Sequence, residues 1–347
     1  MLGAAVLGLA VVCLLAWHQF RRKPLRPPAA AAWAPLTPLA DVAAPGEPPV
    51  PDRSRLGRYR IKRSLGRGSM GMVYLAHDAQ QARAVAVKTL ALTREFDATD
   101  LADVRERFFR EADTAARLRH PDIVSVFEAG EERGLAFIAM EYLPGHDLLR
   151  YTVAGRLLPV PVVLRMVARV ALALAYAHTQ GVVHRDVKPA NVMVDLDTGS
   201  VKVTDFGIAR ITDARRTRSG MVLGTPSFMS PEQMAGRRAD GRSDLYSLGV
   251  MLFQLLTGVL PHRGESMAEL LNQIANEAAP DVRSVRPELP EALADVLTLA
   301  LEKRPELRYA DGRQMAADLR SIADQYDAPA GPGVEYSRLD PRHNAGH

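Results

Sequence analysis

Three glycines, in Gly66-Arg67-Gly68-Ser69-Met70-Gly71, stand between two runs that alternate apolar and polar residues, Tyr59 to Ser64 and Met72 to His77. Alternation with a period of two marks half-buried strands. A G-x-G-x-x-G that belongs to a dinucleotide fold should open a helix. Here Val73-Tyr74-Leu75 continues as a strand instead. The spacing therefore predicts a glycine hairpin between two strands, not a doubly wound parallel sheet. Missing side chains let backbone N–H groups approach an anion such as a phosphate. Alone the motif is weak; its neighbours decide its meaning.

The deciding neighbour is Val183-His184-Arg185-Asp186-Val187-Lys188-Pro189-Ala190-Asn191-Val192. It puts an acid, an ammonium and an amide on one short loop. Phosphoryl transfer needs all three: a carboxylate to orient the attacking hydroxyl and take its proton, a cation to offset charge on the moving group, and an amide oxygen for a hard metal ion. Third in the set is Asp205-Phe206-Gly207, nineteen residues beyond Asp186. These stretches together closely resemble the protein-kinase family, in its His-Arg-Asp-x-Lys-Pro-x-Asn form.

The resemblance implies an α+β, bilobal fold: a five-stranded antiparallel small lobe with one helix, then a mainly helical large lobe. It also assigns roles. Asp186 is the catalytic base, with Lys188 beside it, and Asn191 and Asp205 are metal ligands. Lys88, ending the apolar alternation within the strand Ala82 to Leu90, reaches the α- and β-phosphates, and Glu111, on the helix Leu101 to Arg119, pairs with it. Leu65, Gly66, Gly68, Gly71, Val73 and Ala86 line the nucleotide. Met140 is the gatekeeper, and Glu141 and Leu143 offer backbone groups to the adenine edge. His184 is expected to be a packing residue, and Asp244 the N-cap of a helix Leu245 to Leu256 that braces the catalytic loop. Glu232, in Ser230-Pro231-Glu232 where the family usually has Ala-Pro-Glu, should pair with Arg308. The implied cofactors are ATP and Mg2+, with Mn2+ as a substitute.

Strands are further expected at Ile123 to Glu128 and Leu135 to Glu141, and helices at Val160 to Gln180, Met267 to Glu277, Glu291 to Leu301 and Arg313 to Asp324. Val160 to Gln180 is apolar on nearly all sides, as a buried helix must be. Of the 347 residues, 1–20 read as a transmembrane anchor, 21–57 as a Pro/Ala-rich linker, 58–326 as the kinase domain (small lobe 58–142, large lobe 143–326) and 327–347 as a flexible tail. Leu2 to Trp17 carries no charge, and Arg21, Arg22, Lys23 and Arg26 follow it. The positive-inside rule then places the remainder in the cytoplasm, giving a single-pass protein of the cytoplasmic membrane. A cleaved signal peptide is the rival, disfavoured by the missing positive n-region; loss of earlier segments is a second. Nine prolines between Arg21 and Gly57 favour a semi-rigid, polyproline-like tether.

A net charge of +4, without Lys/Arg blocks interleaved with aromatics, gives no sign of nucleic-acid binding. A single cysteine, Cys13, excludes an internal disulfide. Lys188 and the Gly224-Thr225-Pro226 threonine resemble serine/threonine rather than tyrosine kinases, and the overall wording resembles bacterial, eukaryotic-type (Hanks) members. Protein substrates bearing Ser or Thr are the implied partners, and relatives commonly form a homodimer through the back of the small lobe. Arg185 before the catalytic aspartate marks kinases whose activation segment is ordered by a phosphate, with Thr217 or Ser219 as the expected autophosphorylation site. A pseudokinase would normally lack one of Lys88, Asp186, Asn191 or Asp205. A small-molecule phosphotransferase would lack the Gly-Thr-Pro and Ser-Pro-Glu stretch.

Overall fold

The computed structural model describes residues 55–68, 71–92, 101–206 and 226–327. The expected anchor, nearly all of the linker, Gly207, Thr217, Ser219, Thr225 and the tail from 328 lie outside the described residues.

Alternation produces the small lobe. Strands β1 (Arg55–Leu56), β2 (Tyr59–Gly68), β3 (Gly71–Asp78), β4 (Arg83–Leu90), β5 (Val126–Glu132) and β6 (Leu135–Glu141) form one antiparallel sheet in the order β1-β2-β3-β4-β6-β5. The sheet has six strands where five were expected, because Arg55-Leu56 adds an edge. A two-residue strand has no periodicity to read, yet Leu56 is buried with Tyr59, Val85, Val87 and Phe137 on the sheet's outer face. The inner face packs on α1 (Leu101–Arg117), whose buried residues Val104, Phe108, Ala112 and Ala115 recur at helical spacing.

Glycine is required at Gly71. Its φ is 152°, and a Cβ there would lie 1.8 Å from the Thr89 carbonyl oxygen. The start of β3 can therefore lie against β4 only without a side chain.

The chain leaves the sheet at Glu141 and enters the helical lobe. α2 (Val160–Thr179) is apolar all round and buried against α4 (Gly241–Thr257) and α7 (Gly312–Asp327). Among the described residues it alone is long and apolar enough to cross a membrane, but most of it is buried inside the protein. α5 (Met267–Asn276) and α6 (Glu291–Ala300) lie within a few residues of the spans expected from sequence, and a short α3 (Pro231–Met234), not expected from sequence, completes the α-helices among the described residues.

Two boundaries differ for physical reasons. α4 starts four residues earlier than expected, because Asp240, not Asp244, is its N-cap and accepts the Arg242 N–H at 2.8 Å. Ile123 does not begin β5; it forms a parallel bridge with Val203 of the large lobe. A small sheet of β7 (His146–Asp147), β8 (Val192–Asp195) and β9 (Ser200–Val203) carries the loops that matter for chemistry. One apolar core runs continuously beneath both lobes.

Candidate active site

Asp186, Lys188 and Asn191 meet at one carboxylate. Lys188 Nζ lies 2.7 Å from Asp186 Oδ2, and Asn191 Nδ2 donates to the same oxygen at 2.9 Å and to the Asp186 carbonyl at 2.7 Å. The carboxylate is thereby fixed in orientation while keeping partial exposure, as an acceptor for an incoming hydroxyl proton must. Asn191 commits its NH2 to Asp186, which leaves its Oδ1, a hard oxygen donor, for a cation.

The loop is held by buried polar contacts. Asp244, fully buried, accepts the His184 N–H at 2.8 Å, the Arg185 N–H at 2.7 Å and a hydrogen bond from His178 Nε2 at 2.8 Å. It braces the loop as expected, although it is not a cap. His184 is also fully buried. Its Nδ1 accepts the Asp186 N–H at 3.2 Å, so the ring proton sits on Nε2 and is donated to the Thr204 carbonyl at 2.8 Å. Its ring lies 4.6 Å from that of Phe206. His184 is a bolt between the loop and the segment bearing Asp205, not an acid or base.

Arg185 and Asp205 both have positive φ, 68° and 63°. Side-chain-bearing residues adopt this region at a cost of roughly 1–3 kcal/mol, and such strain gathers at functional sites. At Arg185 it is sustained from both sides: Asp244 holds the N–H, and Gln233 Nε2 donates to the carbonyl at 3.0 Å.

From the sheet, Lys88 on β4 reaches Asp205, with Nζ 2.8 Å from Oδ1. Burial works against ionisation of Asp205, but the Lys88 ammonium and its hydrogen bond outweigh it and hold the carboxyl below the usual carboxylate range. Glu111 is buried on α1. Lys88 thus pairs with Asp205 across the cleft.

Ala86 and Met140 are register neighbours on β4 and β6, and both are buried. Val73 and Leu143 are half-buried against the same core, and Leu65 is exposed at the lip. The Glu141 N–H is bonded to the Ser125 carbonyl at 2.9 Å. A cavity of about 20 Å³ between α1 and Phe206, bordered by Ala112, Leu118, Met140 and Asp205, has room for about one water. It is a packing gap beside the cleft.

Magnesium is commonly held by one or two carboxylates together with substrate phosphates. One aspartate and one asparagine oxygen, Asp205 and Asn191, fit that pattern. Among the described residues no group of three His, Cys, Asp or Glu could hold a metal alone.

Glu232 and Arg308 come together as expected, in a two-pronged pair of 2.7 and 2.8 Å that is almost wholly buried. Ser243 Oγ adds a third contact to Glu232, at 2.6 Å. Sequence reasoning missed His178, Gln233, Ser243 and Lys202. Of these, Gln233 carried a readable signal, since Ser230-x-x-Gln233 forms a capping box.

Comparison with known proteins places the chain in a family. The family model described as "Protein kinase domain" matches residues 59–318. The serine/threonine-protein kinase PrkC of Bacillus subtilis is 38% identical over 77% of this chain and 41% of its own length. The serine/threonine-protein kinase pkn3 of Myxococcus xanthus is 40% identical over 76% of this chain and 50% of its own. The chain thus spans half or less of these curated relatives. The crystal structure of the Mycobacterium tuberculosis PknI kinase domain is 33% identical with a TM-score of 0.63, over 77% of this chain and 97% of that one.

Proposed function

Because the chain belongs to the protein kinase domain family, we propose that it transfers the γ-phosphate of ATP to serine or threonine hydroxyls of proteins, in bacterial signalling. The observation that carries this reading is the Asp186 carboxylate held by Lys188 and Asn191, with Lys88 and Asp205 paired opposite. The acceptor oxygen attacks the γ-phosphorus, the bond to the β,γ-bridging oxygen breaks, and ADP leaves. Asp186 orients the hydroxyl and accepts its proton; Lys188 offsets the charge on the transferring oxygens. Lys88, with Glu111 behind it, positions the α- and β-phosphates. Leu65, Val73, Ala86, Met140 and Leu143 enclose the adenine. Asp205 and Asn191 would hold Mg2+, which neutralises phosphate charge when bound and for which Mn2+ can substitute.

Autophosphorylation of Thr217 or Ser219 would order the activation segment through Arg185. Its Nε is buried without a hydrogen-bond partner among the described residues, which supports a role awaiting an anion. Residues 1–20 would anchor the chain in the cytoplasmic membrane, with the kinase domain in the cytoplasm and 21–57 as tether. Pairing of two chains through the small lobe belongs to the same proposal. The test offers radiolabelled ATP with a casein-like protein, sugars and aminoglycosides. Label confined to phosphoserine and phosphothreonine supports the reading, and label only on small molecules overturns it.

A further inference from the structure

Lys202 lies on β9, three residues before Asp205, and has no place in the chemistry described above. Its Nζ lies 3.0 Å from both carboxylate oxygens of Glu141, the last residue of β6, where the chain leaves the small lobe. Glu141 Oε2 also accepts the Ser125 N–H at 3.2 Å, and the Glu141 N–H returns a bond to the Ser125 carbonyl at 2.9 Å. One residue earlier, the Val124 N–H donates to the Val203 carbonyl at 2.9 Å, and the Val203 N–H donates to the Asp122 carbonyl at 2.8 Å. Arg169 of α2 holds the Asp122 carboxylate and the Gly199 carbonyl, so the base of this seam is tied to the large lobe as well.

Three segments from two lobes therefore close a triangle: the stretch 122–125 after α1, the end of β6, and β9. Two sides are backbone hydrogen bonds. The third is the Lys202–Glu141 pair, with side-chain exposures of 17% and 30%, which is partly shielded from water and more than a surface contact. On the kinase reading Glu141 belongs to the backbone edge that meets the adenine, and β9 is the strand that leads to Asp205.

We propose that Lys202 is a positioning residue: by holding Glu141, it sets the adenine-binding backbone at a fixed distance from Asp205 across the lobe junction. It touches neither nucleotide nor acceptor and acts through Glu141. The inference rests on the kinase reading above. A half-exposed pair of this kind contributes modestly, so its loss should weaken nucleotide positioning without abolishing chemistry.

The experiment compares the full-length chain with Lys202→Met, Lys202→Arg and the swap Lys202→Glu/Glu141→Lys. It measures KM for ATP, kcat, ADP affinity by titration, and amide exchange over 122–126 and 141–146. Lys202→Met should raise KM and the ADP dissociation constant about three- to fivefold, leave kcat within about twofold, and speed exchange in both segments. Lys202→Arg should behave as the parent, and the swap should recover much of the loss. An unchanged KM with unchanged exchange overturns the proposal. So does a fall in kcat at constant KM, which would put Lys202 in the chemistry. If the kinase reading itself failed, the parent protein would transfer no phosphate, while ADP affinity and amide exchange would still report on the seam.

Discussion

Substituting Arg308→Met removes the cation from a pair that the fold has almost entirely taken out of water. The Arg308 side chain has 0% exposure and that of Glu232 has 8%, with two contacts of 2.7 and 2.8 Å between them. Methionine keeps the packing over the Tyr246 ring, against which the guanidinium now lies 4.9 Å from the centroid. It leaves the Glu232 carboxylate with Ser243 as its remaining side-chain partner and frees the carbonyls of Glu302 and Lys303. Stranding one charge of a buried pair costs about 3–5 kcal/mol. For a domain of this size each kcal/mol lowers Tm by about 2–4 °C, so calorimetry at pH 7 should show a drop of roughly 6–20 °C.

Acid supplies the signature. Burial opposes ionisation of Glu232, but the Arg308 and Ser243 hydrogen bonds outweigh it and hold the folded-state carboxyl below its ordinary 4.5. The stabilisation is therefore complete above that value and is lost as pH falls through the folded-state value. In the variant the stranded carboxylate instead gains by protonation, so the gap between the two proteins should narrow below about pH 4.5. Glu232→Met combined with Arg308→Met should cost less than the sum of the single changes. A drop in Tm below about 2 °C, or coupling under about 0.5 kcal/mol in the double-mutant cycle, would refute the reasoning.

Asp244→Ala strips the acceptor from two backbone N–H groups, that of His184 buried and that of Arg185 partly so, a buried one costing about 1–3 kcal/mol when left unpaired, and lets the loop bearing Asp186 drift. Chemical denaturation should show the loss of stability, and steady-state assays a fall in kcat of about 100-fold or more. His262 is buried beside the Lys303 ammonium, and burial followed by that charge pushes its pKa down to about 4. Between pH 6.5 and 4 the unfolded chain binds a proton that the folded one refuses, so stability falls across that window by about 2–3 kcal/mol. His262→Gln should flatten this slope in urea titrations; an unchanged slope would exclude His262 as its source. Mass spectrometry of active protein should find phosphate on Thr217 or Ser219, and finding both bare would remove the proposed ordering of the activation segment.

Much of this was legible because the relevant signals are local. Alternation around Gly66 to Gly71 and the all-round apolarity of Val160 to Gln180 gave the sheet lobe and the central helix of the other lobe. The His-Arg-Asp stretch gave a site whose three polar groups do meet. What escaped notice depends on separation in sequence. Asp244 meets His178 across 66 residues, and Glu141 meets Lys202 across 61, so no window along the chain holds both partners. The cap of α4 was misplaced because Asp240 and Asp244 are both acids near a helix start, and only geometry separates an N-cap from a first-turn residue whose side chain turns back to the loop.

Asp186 is where the account stands or falls. Purified full-length protein and its Asp186→Asn variant, matched by circular dichroism, should be given radiolabelled ATP, Mg2+ and a generic serine- and threonine-bearing protein. The account predicts transfer by the parent and a rate at least about 100-fold lower in the variant, with both still binding nucleotide. Equal labelling by the two proteins, or a folded, nucleotide-binding parent that labels no polypeptide, would contradict it.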